Sequence, residues 1–366
     1  MYRRIIAAVS AGMCALSLLG AQAVIYVEAP ADGADMTMAL QAAADSAASL
    51  GGRPVEIALS PGVYNITREK ATARLQHVSN TTSAAENPDP TKHFGLYLHG
   101  LRNVTVSGHG ARIVTHGEMS WLGIDSCRNI TVRNISVDAA DPSVAEMTVT
   151  GRTDTTLTVA LAPRTSCRIS PQGQLFWAGC GWEFTGGIAQ LRNATHTWRT
   201  QSPMERYVRA ERSGQGVIFH YAAGEAPQAA PGEVYQLRHS FRTEVATLIN
   251  RSQNVTLSDM EYHFLGNFGI VGQMSSDITL DAVDCSPGVG SGRTCAGFAD
   301  FVQMSGCSGK VVIRRCNFAG AHDDPINVHG THLRVVDYAT PRRLTLRYMH
   351  PQTFGFDQFA PATKWQ

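Results

Sequence analysis

Asn129-Ile-Thr-Val-Arg-Asn-Ile-Ser-Val137 is the stretch of sequence that decides the fold. Its apolar residues stand at offsets 0, 2, 5 and 7 from Ile130, so two short alternating segments are separated by a one-residue break in phase. Alternation places every second side chain on one face of a strand, and the break indicates a corner after which apolar residues point inward again. The same offsets recur from three later positions, Val255, Ile278 and Val311.

The spacing of these blocks predicts how they are arranged. Val255 and Ile278 are 23 residues apart, and Val311 follows after a further 33. Strand-like units at such periods are typical of stacked coils, so the sequence predicts an all-β protein, a right-handed parallel β-helix. Asn103, Asn129 and Asn254 each precede the first apolar residue of such a segment, and asparagine tolerates the left-handed conformation that a corner needs. A β-sandwich is the alternative, but Asn-Gly hairpin turns are absent between these strands.

The coil pattern is interrupted twice, which predicts inserted domains. It vanishes after Val137 for about a hundred residues of alternating strands, and similar strands follow Thr331. Before the coils, an Ala-rich segment from Asp35 to Leu50 predicts a helix that closes the open end of the stack. The predicted division is a signal peptide at 1–23, an N-terminal cap and first β-helix coils at 24–140, an inserted β-barrel domain at 141–246, catalytic β-helix coils at 247–331, and the start of a second inserted β-barrel, cut short, at 332–366.

Charge and the first residues indicate where the protein works. The chain has 31 Lys and Arg against 30 Asp and Glu, a net charge of +1, which argues against a nucleic-acid partner. Two arginines precede an apolar stretch from Ile5 to Leu19, and Ala21-Gln-Ala23 resembles a cleavage site. We therefore expect a cleaved signal peptide, a secreted or periplasmic protein and no stable membrane insertion after cleavage. An uncleaved membrane anchor is the alternative.

The strongest candidate site is the segment Ala321-His-Asp-Asp-Pro-Ile-Asn-Val-His-Gly330. Asp300 precedes Asp323 by 23 residues, one coil step, which would place it about 4.8 Å from Asp323 along the stack, beside Asp324. Clustered carboxylates repel, so one pKa should rise and give an acid beside a base, as glycoside hydrolysis requires. An ordinary solvated turn is the alternative, and a calcium site is the weaker functional interpretation.

Three segments resemble glycoside hydrolase family 110: Phe298 to Cys307, Asp323 to Gly330 and Arg347 to Phe356. The resemblance implies an exo-acting α-1,3-galactosidase, acting on the blood group B antigen or linear Galα1-3Gal, with a parallel β-helix that carries inserted β-barrels. It implies that Asp323 is the general acid, that Asp300 and Asp324 position and deprotonate water, and that the reaction inverts the anomeric configuration. No cofactor or metal is implied, and the partner is a galactose-terminated glycan.

Further polar residues near the proposed site are candidates for binding sugar hydroxyls. Each can equally satisfy buried backbone groups in the coil turns, or lie at the surface. These candidates are Asn327, His329, Gln303, His350 and Arg293. Cys285 and Cys295 bracket a Gly-rich loop and either form a disulfide or remain free thiols.

Two rival functions share this fold. A polygalacturonase-like β-helix hydrolase also uses carboxylates on neighbouring coils, but its Asn-Thr-Asp and Arg-Ile-Lys motifs are absent. A non-catalytic carbohydrate-binding β-helix would bind glycan without turnover.

Overall fold

The protein is almost entirely β-structure, as the sequence predicts. The computed structural model describes residues 5–6, 14–19, 22–81, 83–239, 241–340 and 342–359. Within these residues there is one α-helix, Thr37–Ser49, and one short 3-10 helix, Arg68–Lys70. The strands form two large sheets that are mainly parallel, a seven-stranded antiparallel sheet, a three-stranded sheet and a hairpin.

The first sheet contains the repeated blocks. Its strands from Gln22–Val27 onward are parallel, whereas the first two pair antiparallel. In spatial order its main path is Ile5–Ile6, Cys14–Leu19, Gln22–Val27, Val55–Leu59, Arg102–His116, Arg128–Ala139, Gln253–Tyr262, Ser276–Cys285 and Ser308–Arg314, with Val63–Thr67 and Asn317–Phe318 paired beside it.

The register of this sheet confirms the offset pattern. Ile130 pairs with Val255, Val255 with Ile278, and Ile278 with Val311. The residue at the break in phase adopts a left-handed conformation in every block, with φ between 52° and 57°. These residues are Asn134, Asp259, Ala282 and Arg315. The break is therefore a bend that turns the strand and returns its apolar side chains to the core.

The predicted asparagine corners also adopt the left-handed conformation and stack on one another. Asn103, Asn129 and Asn254 have φ values of 56°, 58° and 55°. The side-chain amide of Asn254 donates to Asn129 (3.0 Å), and that of Asn129 donates to Asn103 (2.8 Å). The corners thus form a ladder of amide hydrogen bonds along one edge of the stack.

Apart from the strands of a separate antiparallel unit, the chain alternates between this second sheet and the first from Thr91–His99 to Ser308–Arg314. Its strands are parallel except for the last pair. In spatial order they are Ile326–His329, Val302–Ser305, Ile270–Gln273, Thr247–Asn250, Ser120–Asp125, Thr91–His99 and Thr72–Leu75. Side chains from both sheets, such as Val132 and Ile249, are fully buried in one continuous core.

A separate antiparallel unit interrupts the turns between Ala139 and Thr247. Its seven-stranded sheet has the order Thr197–Thr200, Ile188–Arg192, Val234–Arg238, Val144–Arg152, Thr156–Leu161, Gly216–Tyr221 and Tyr207–Ser213. A three-stranded sheet of Cys167–Ile169, Leu175–Gly179 and Trp182–Phe184 packs with it around a second core that includes Trp177 and Tyr235. Leu333–Thr340 and Arg343–Tyr348 form the antiparallel hairpin.

The helix packs its small apolar side chains against the first turns, since Leu40, Ala43 and Ala47 are buried. It begins two residues after Asp35, whose carboxylate accepts the backbone N–H of Thr37 (2.8 Å). The carboxylate therefore satisfies one of the free N–H groups at the helix start.

The structure decides between the two alternatives for the cysteine pair. Cys285 and Cys295 are buried free thiols, so the alternative without a disulfide is the one observed. The predicted signal segment, residues 1–23, lies largely outside the described residues. Within the described ranges, no helix has the length and apolar character to cross a membrane.

Candidate active site

The turn that carries Asp323 and Asp324 is fixed to the preceding coil by backbone hydrogen bonds. The carbonyl of Asp324 accepts the N–H of Phe301 (3.1 Å), and that of Pro325 accepts the N–H of Val302 (3.2 Å). Val302 pairs with Ile326, so the coil step here is 24 residues and not the 23 assumed from sequence. In this register Asp300 is aligned with Asp324. The sequence spacing had aligned it with Asp323, which comes one residue earlier.

Asp300 is the most deeply placed of the three carboxylates. It is 2% exposed, and the side-chain amide of Asn327 donates to its Oδ2 at 2.9 Å. Desolvation raises the pKa of Asp300, and the nearby charges of Asp323 and Asp324 raise it further. The Asn327 hydrogen bond and the positive charge of Arg242 act in the opposite direction. Asp300 is thus a carboxylate of increased basicity held by a single side-chain donor.

Asp323 faces arginine side chains that the sequence analysis did not identify. Nη2 of Arg242 lies 3.6 Å from its Oδ2, and the charge of Arg238 is also close. Burial and the positive charge of Arg242 lower the pKa of Arg238 to about 10. Both arginines belong to the end of the inserted sheet and the segment after it, more than 80 residues before Asp323. No local motif links them to the carboxylates, so sequence spacing contains no signal for them.

His322 borders the carboxylates but is a neutral, buried residue. It is 3% exposed, and its Nε2 lies 2.8 Å from the Gln236 amide oxygen. The Gln236 amide nitrogen donates to the Thr294 hydroxyl (2.6 Å), so Nε2 of His322 carries the proton. Desolvation and the positive charges of Arg238 and Arg199 lower the pKa of His322 to about 3. His322 therefore links the coil to the inserted sheet without carrying charge at neutral pH.

An open cleft of about 510 Å³ adjoins this site and collects three of the predicted sugar-binding residues. Asn327 connects the two, because it lines the cleft and also binds Asp300. The cleft is lined by Asn80, Asn327, His329, Gly330, Thr331, His332, Met349, His350 and Thr353. Amide, imidazole and hydroxyl groups of this kind suit the recognition of sugar hydroxyls.

Gln303 is a buried residue that holds the loop of Ser79 and Asn80 at the edge of the cleft. It is 1% exposed, and its Oε1 accepts the Asn80 side-chain amide (3.1 Å) while its Nε2 donates to the Ser79 carbonyl (3.0 Å). The Asn80 backbone N–H donates to the Thr353 hydroxyl (3.1 Å). Gln303 thus anchors the loop that forms one wall of the cleft, and both ends of its amide are already paired.

Arg293 lies away from Asp300, Asp323 and Asp324, in the contact between the Gly-rich loop and the inserted sheet. Its Nη2 is 2.9 Å from Oε1 of Glu146, and the two side chains are 2% and 0% exposed. The same Nη2 donates to the Val144 carbonyl (2.7 Å). Glu146 also accepts the backbone N–H groups of Thr294 (2.7 Å) and Cys295 (3.3 Å). This arginine therefore clamps two parts of the fold together.

The site has no metal-binding arrangement. Among the residues that the structure describes, no group of three or more His, Cys, Asp or Glu side chains is placed to hold a metal ion.

Comparisons with known proteins give this geometry a context. Alpha-1,3-galactosidase A from Bacteroides thetaiotaomicron is 44% identical over 337 residues, covering 92% of this chain and 58% of the relative. Over most of its length the chain is similar to proteins named alpha-1,3-galactosidase. The protein of the same name from Streptomyces avermitilis is 40% identical over 357 residues, with 92% and 56% covered. That from Bacteroides fragilis strain YCH46 is 34% identical over 328 residues, with 87% and 53% covered.

The resemblance found in the sequence motifs is thereby confirmed. No family model matches the chain. The chain spans little more than half the length of the curated α-1,3-galactosidases that it matches.

Proposed function

We propose that the protein is an exo-acting glycoside hydrolase that releases terminal α-1,3-linked galactose from glycans of the blood group B type or from linear Galα1-3Gal. The observation that carries this proposal is the similarity to proteins named alpha-1,3-galactosidase over 92% of the chain. The convergence of three carboxylates from neighbouring coils beside a polar cleft supports it, because glycoside hydrolysis needs a paired acid and base.

The proposed mechanism is a single displacement with inversion. Asp323 protonates the leaving oxygen, while Asp300 and Asp324 position and deprotonate the attacking water. The raised pKa of Asp300 supports its role as base, because a more basic carboxylate takes a proton from water more readily. Arg242 lies where it can stabilise the Asp323 carboxylate after proton transfer. Inversion requires roughly 6.5–9.5 Å between the acid and base carboxyl groups, which leaves room for the water.

The cleft residues are proposed to hold the galactose. Asn327, His329 and His350 donate to or accept from its hydroxyl groups, since all three line the cleft. Gln303 and Arg293, also predicted to bind substrate, take supporting roles, because their polar groups are already paired inside the protein.

We propose that the alternating strands of the two large sheets form a right-handed parallel β-helix, with residues 141–246 as an inserted β-barrel domain and 332–366 as the start of a second. We further propose that residues 1–23 are a signal peptide and that the protein is secreted or periplasmic. N-terminal sequencing of the exported protein tests the last point: a mature N-terminus at residue 24 is expected, and an intact Met1 would contradict it.

Hydrolysis followed by proton NMR tests the function and the mechanism together. The purified protein is incubated with Galα1-3Gal and with its fucosylated form. We expect galactose to appear first as the β-anomer, with Asp323→Asn as the inactive control. First-formed α-galactose would refute inversion. Release of no galactose from either glycan would refute the hydrolase, and glycan binding that survives Asp323→Asn would then favour a binding protein.

A further inference from the structure

Arg242 occupies a position between the catalytic carboxylates and the wall of the cleft. Its Nη1 donates to the Asn80 carbonyl at 2.9 Å, and its Nη2 lies 3.6 Å from Asp323. The guanidinium also lies over the ring of Phe268, 5.4 Å from the centroid. Its side chain is only 16% exposed, so these three contacts determine its orientation.

The contact with Asn80 holds a residue in the left-handed backbone conformation. Asn80 has φ of 62°, and its side chain binds Gln303 while its backbone N–H binds Thr353. Asn80 and Thr353 both line the cleft. Asparagine tolerates the left-handed conformation, and Arg242 supplies the hydrogen bond that holds the Asn80 carbonyl in place.

The charge of Arg242 acts on more than one carboxylate. It lowers the pKa of Asp300, which burial and the neighbouring carboxylates raise. The same guanidinium faces Asp323. A guanidinium is planar and always charged, so it can bond a carbonyl with one nitrogen and face a carboxylate with another. An ammonium group supplies the charge but not this fixed fork.

We propose that Arg242 is a positioning residue of the reaction, which holds Asp323 and the Asn80 wall of the cleft in one arrangement and balances the charge of the Asp300–Asp323 pair. This role rests on the proposed function for its catalytic consequence. Its electrostatic part concerns the protein alone and can be measured without turnover.

The test compares Arg242→Gln and Arg242→Lys with the wild-type protein. We expect Arg242→Gln to lower kcat by roughly 100-fold, because a small misplacement of a reacting group has an effect of this size. The acidic limb of the pH profile of kcat/KM should move upward by about one pH unit, because a cation beside the carboxylates is lost. Arg242→Lys should return the acidic limb to its wild-type position, because the charge is kept, but should recover only part of kcat, because the planar fork is lost.

The matched control is Arg168→Gln. Arg168 also pairs with a carboxylate, Glu183 at 2.8 Å, and lies over a ring, Phe176 at 4.1 Å, but its side chain is 53% exposed. Its loss should change neither kcat nor the pH profile. A merely structural role for Arg242 would lower the melting temperature and leave the acidic limb in place, and that result would overturn the proposal.

Carbon-13 NMR titration of the aspartate carboxyl groups separates this proposal from the proposed function. In Arg242→Gln, the Asp300 carboxyl should titrate at a higher pH than in the wild type, whether or not galactose is released. If the wild type releases no galactose, the proposed hydrolase function is refuted. The titration of Asp300 then still decides whether Arg242 acts on the carboxylates. Unchanged titration of Asp300 in the variant would overturn the role of Arg242.

Discussion

Replacing Arg293 with methionine should destabilise the protein strongly, because it breaks a buried ion pair from one side. Glu146 would keep its charge in a site where its side chain is 0% exposed. Removing one partner of a buried pair typically costs about 3–5 kcal/mol. The two backbone N–H groups of Thr294 and Cys295 would still bind the Glu146 carboxylate and limit the loss. We therefore expect the lower end of this range, about 3 kcal/mol, which for a chain of 366 residues corresponds to a fall in Tm of roughly 4 °C.

The measurement is urea unfolding, with the free energy of unfolding taken from the midpoint and slope. Arg293→Met should be compared with Arg314→Met, whose arginine lies 2.7 Å from Asp281 but is 61% exposed. Asp281 keeps a second arginine partner, Arg315 at 2.7 Å, so the loss of the exposed Arg314 should cost at most about 1 kcal/mol. The double variant Arg293→Met with Glu146→Leu should be less unstable than the sum of the single variants by at least about 1 kcal/mol, because neither charge is then left buried alone.

Two results would refute this reasoning. One is an Arg293→Met variant within about 1 kcal/mol of the wild type, which would mean that Glu146 is not held as a buried charge. The other is strict additivity in the double variant. Because Asp300 follows the clamped segment by five residues, a destabilised clamp should also reduce galactose release.

Three further predictions concern charge and packing. Asp300→Asn should abolish most activity yet raise Tm at pH 7. The pKa of Asp300 is raised in the folded protein, so its ionised form destabilises the fold at neutral pH, and the variant removes this cost. In strongly acidic buffer Asp300 is protonated in both the folded and the unfolded state, so the gain in Tm should vanish. A variant no more stable at pH 7 than the wild type would contradict this. His322→Gln should show the opposite trend, because the pKa of His322 falls from 6.5 to about 3 on folding and the wild type therefore loses stability as pH falls through this window. Equal acid sensitivity of both proteins, measured as Tm against pH, would disprove it. Trp177→Ala should cost about 3–5 kcal/mol in the same urea assay, since Trp177 is fully buried in the core of the inserted unit, and a loss below 1 kcal/mol would show that this core is loosely packed.

The register of the repeated strands could be predicted from sequence because its determinants are local. Apolar offsets fix which side chains face inward, and the same offsets then fix the register of neighbouring strands from Ile130 to Val311. The corner asparagines were predictable for the same reason, since a left-handed residue is a property of its own backbone. Sequence spacing failed by one residue at Asp300, because loop length between strands is not fixed by the strand pattern.

The surroundings of the carboxylates could not be predicted, because they come from parts of the chain that meet only after folding. Arg242 and Arg238 reach Asp323 from the end of the inserted unit, and Asn80 reaches Gln303 from 223 residues away. Arg293 was a candidate for substrate binding because it lies in the Gly-rich loop, with a surface position as the alternative. The structure instead pairs it with Glu146, a partner that no spacing rule connects to it.

The asparagine ladder also bears on how the chain closes on itself during folding. Ile130 and Val255 are paired although 125 residues separate them, whereas Val255 and Ile278 are separated by only 23. Loop-closure entropy grows with the logarithm of length, so the longer loop adds only about 1.5 kcal/mol to the cost of closure. Asn254 donates to Asn129 across this gap in the same manner as Asn129 donates to Asn103. A sheet whose edge repeats in this way accommodates a whole folded unit between two neighbouring strands, because the same asparagine hydrogen bond forms across the insertion as between strands without one.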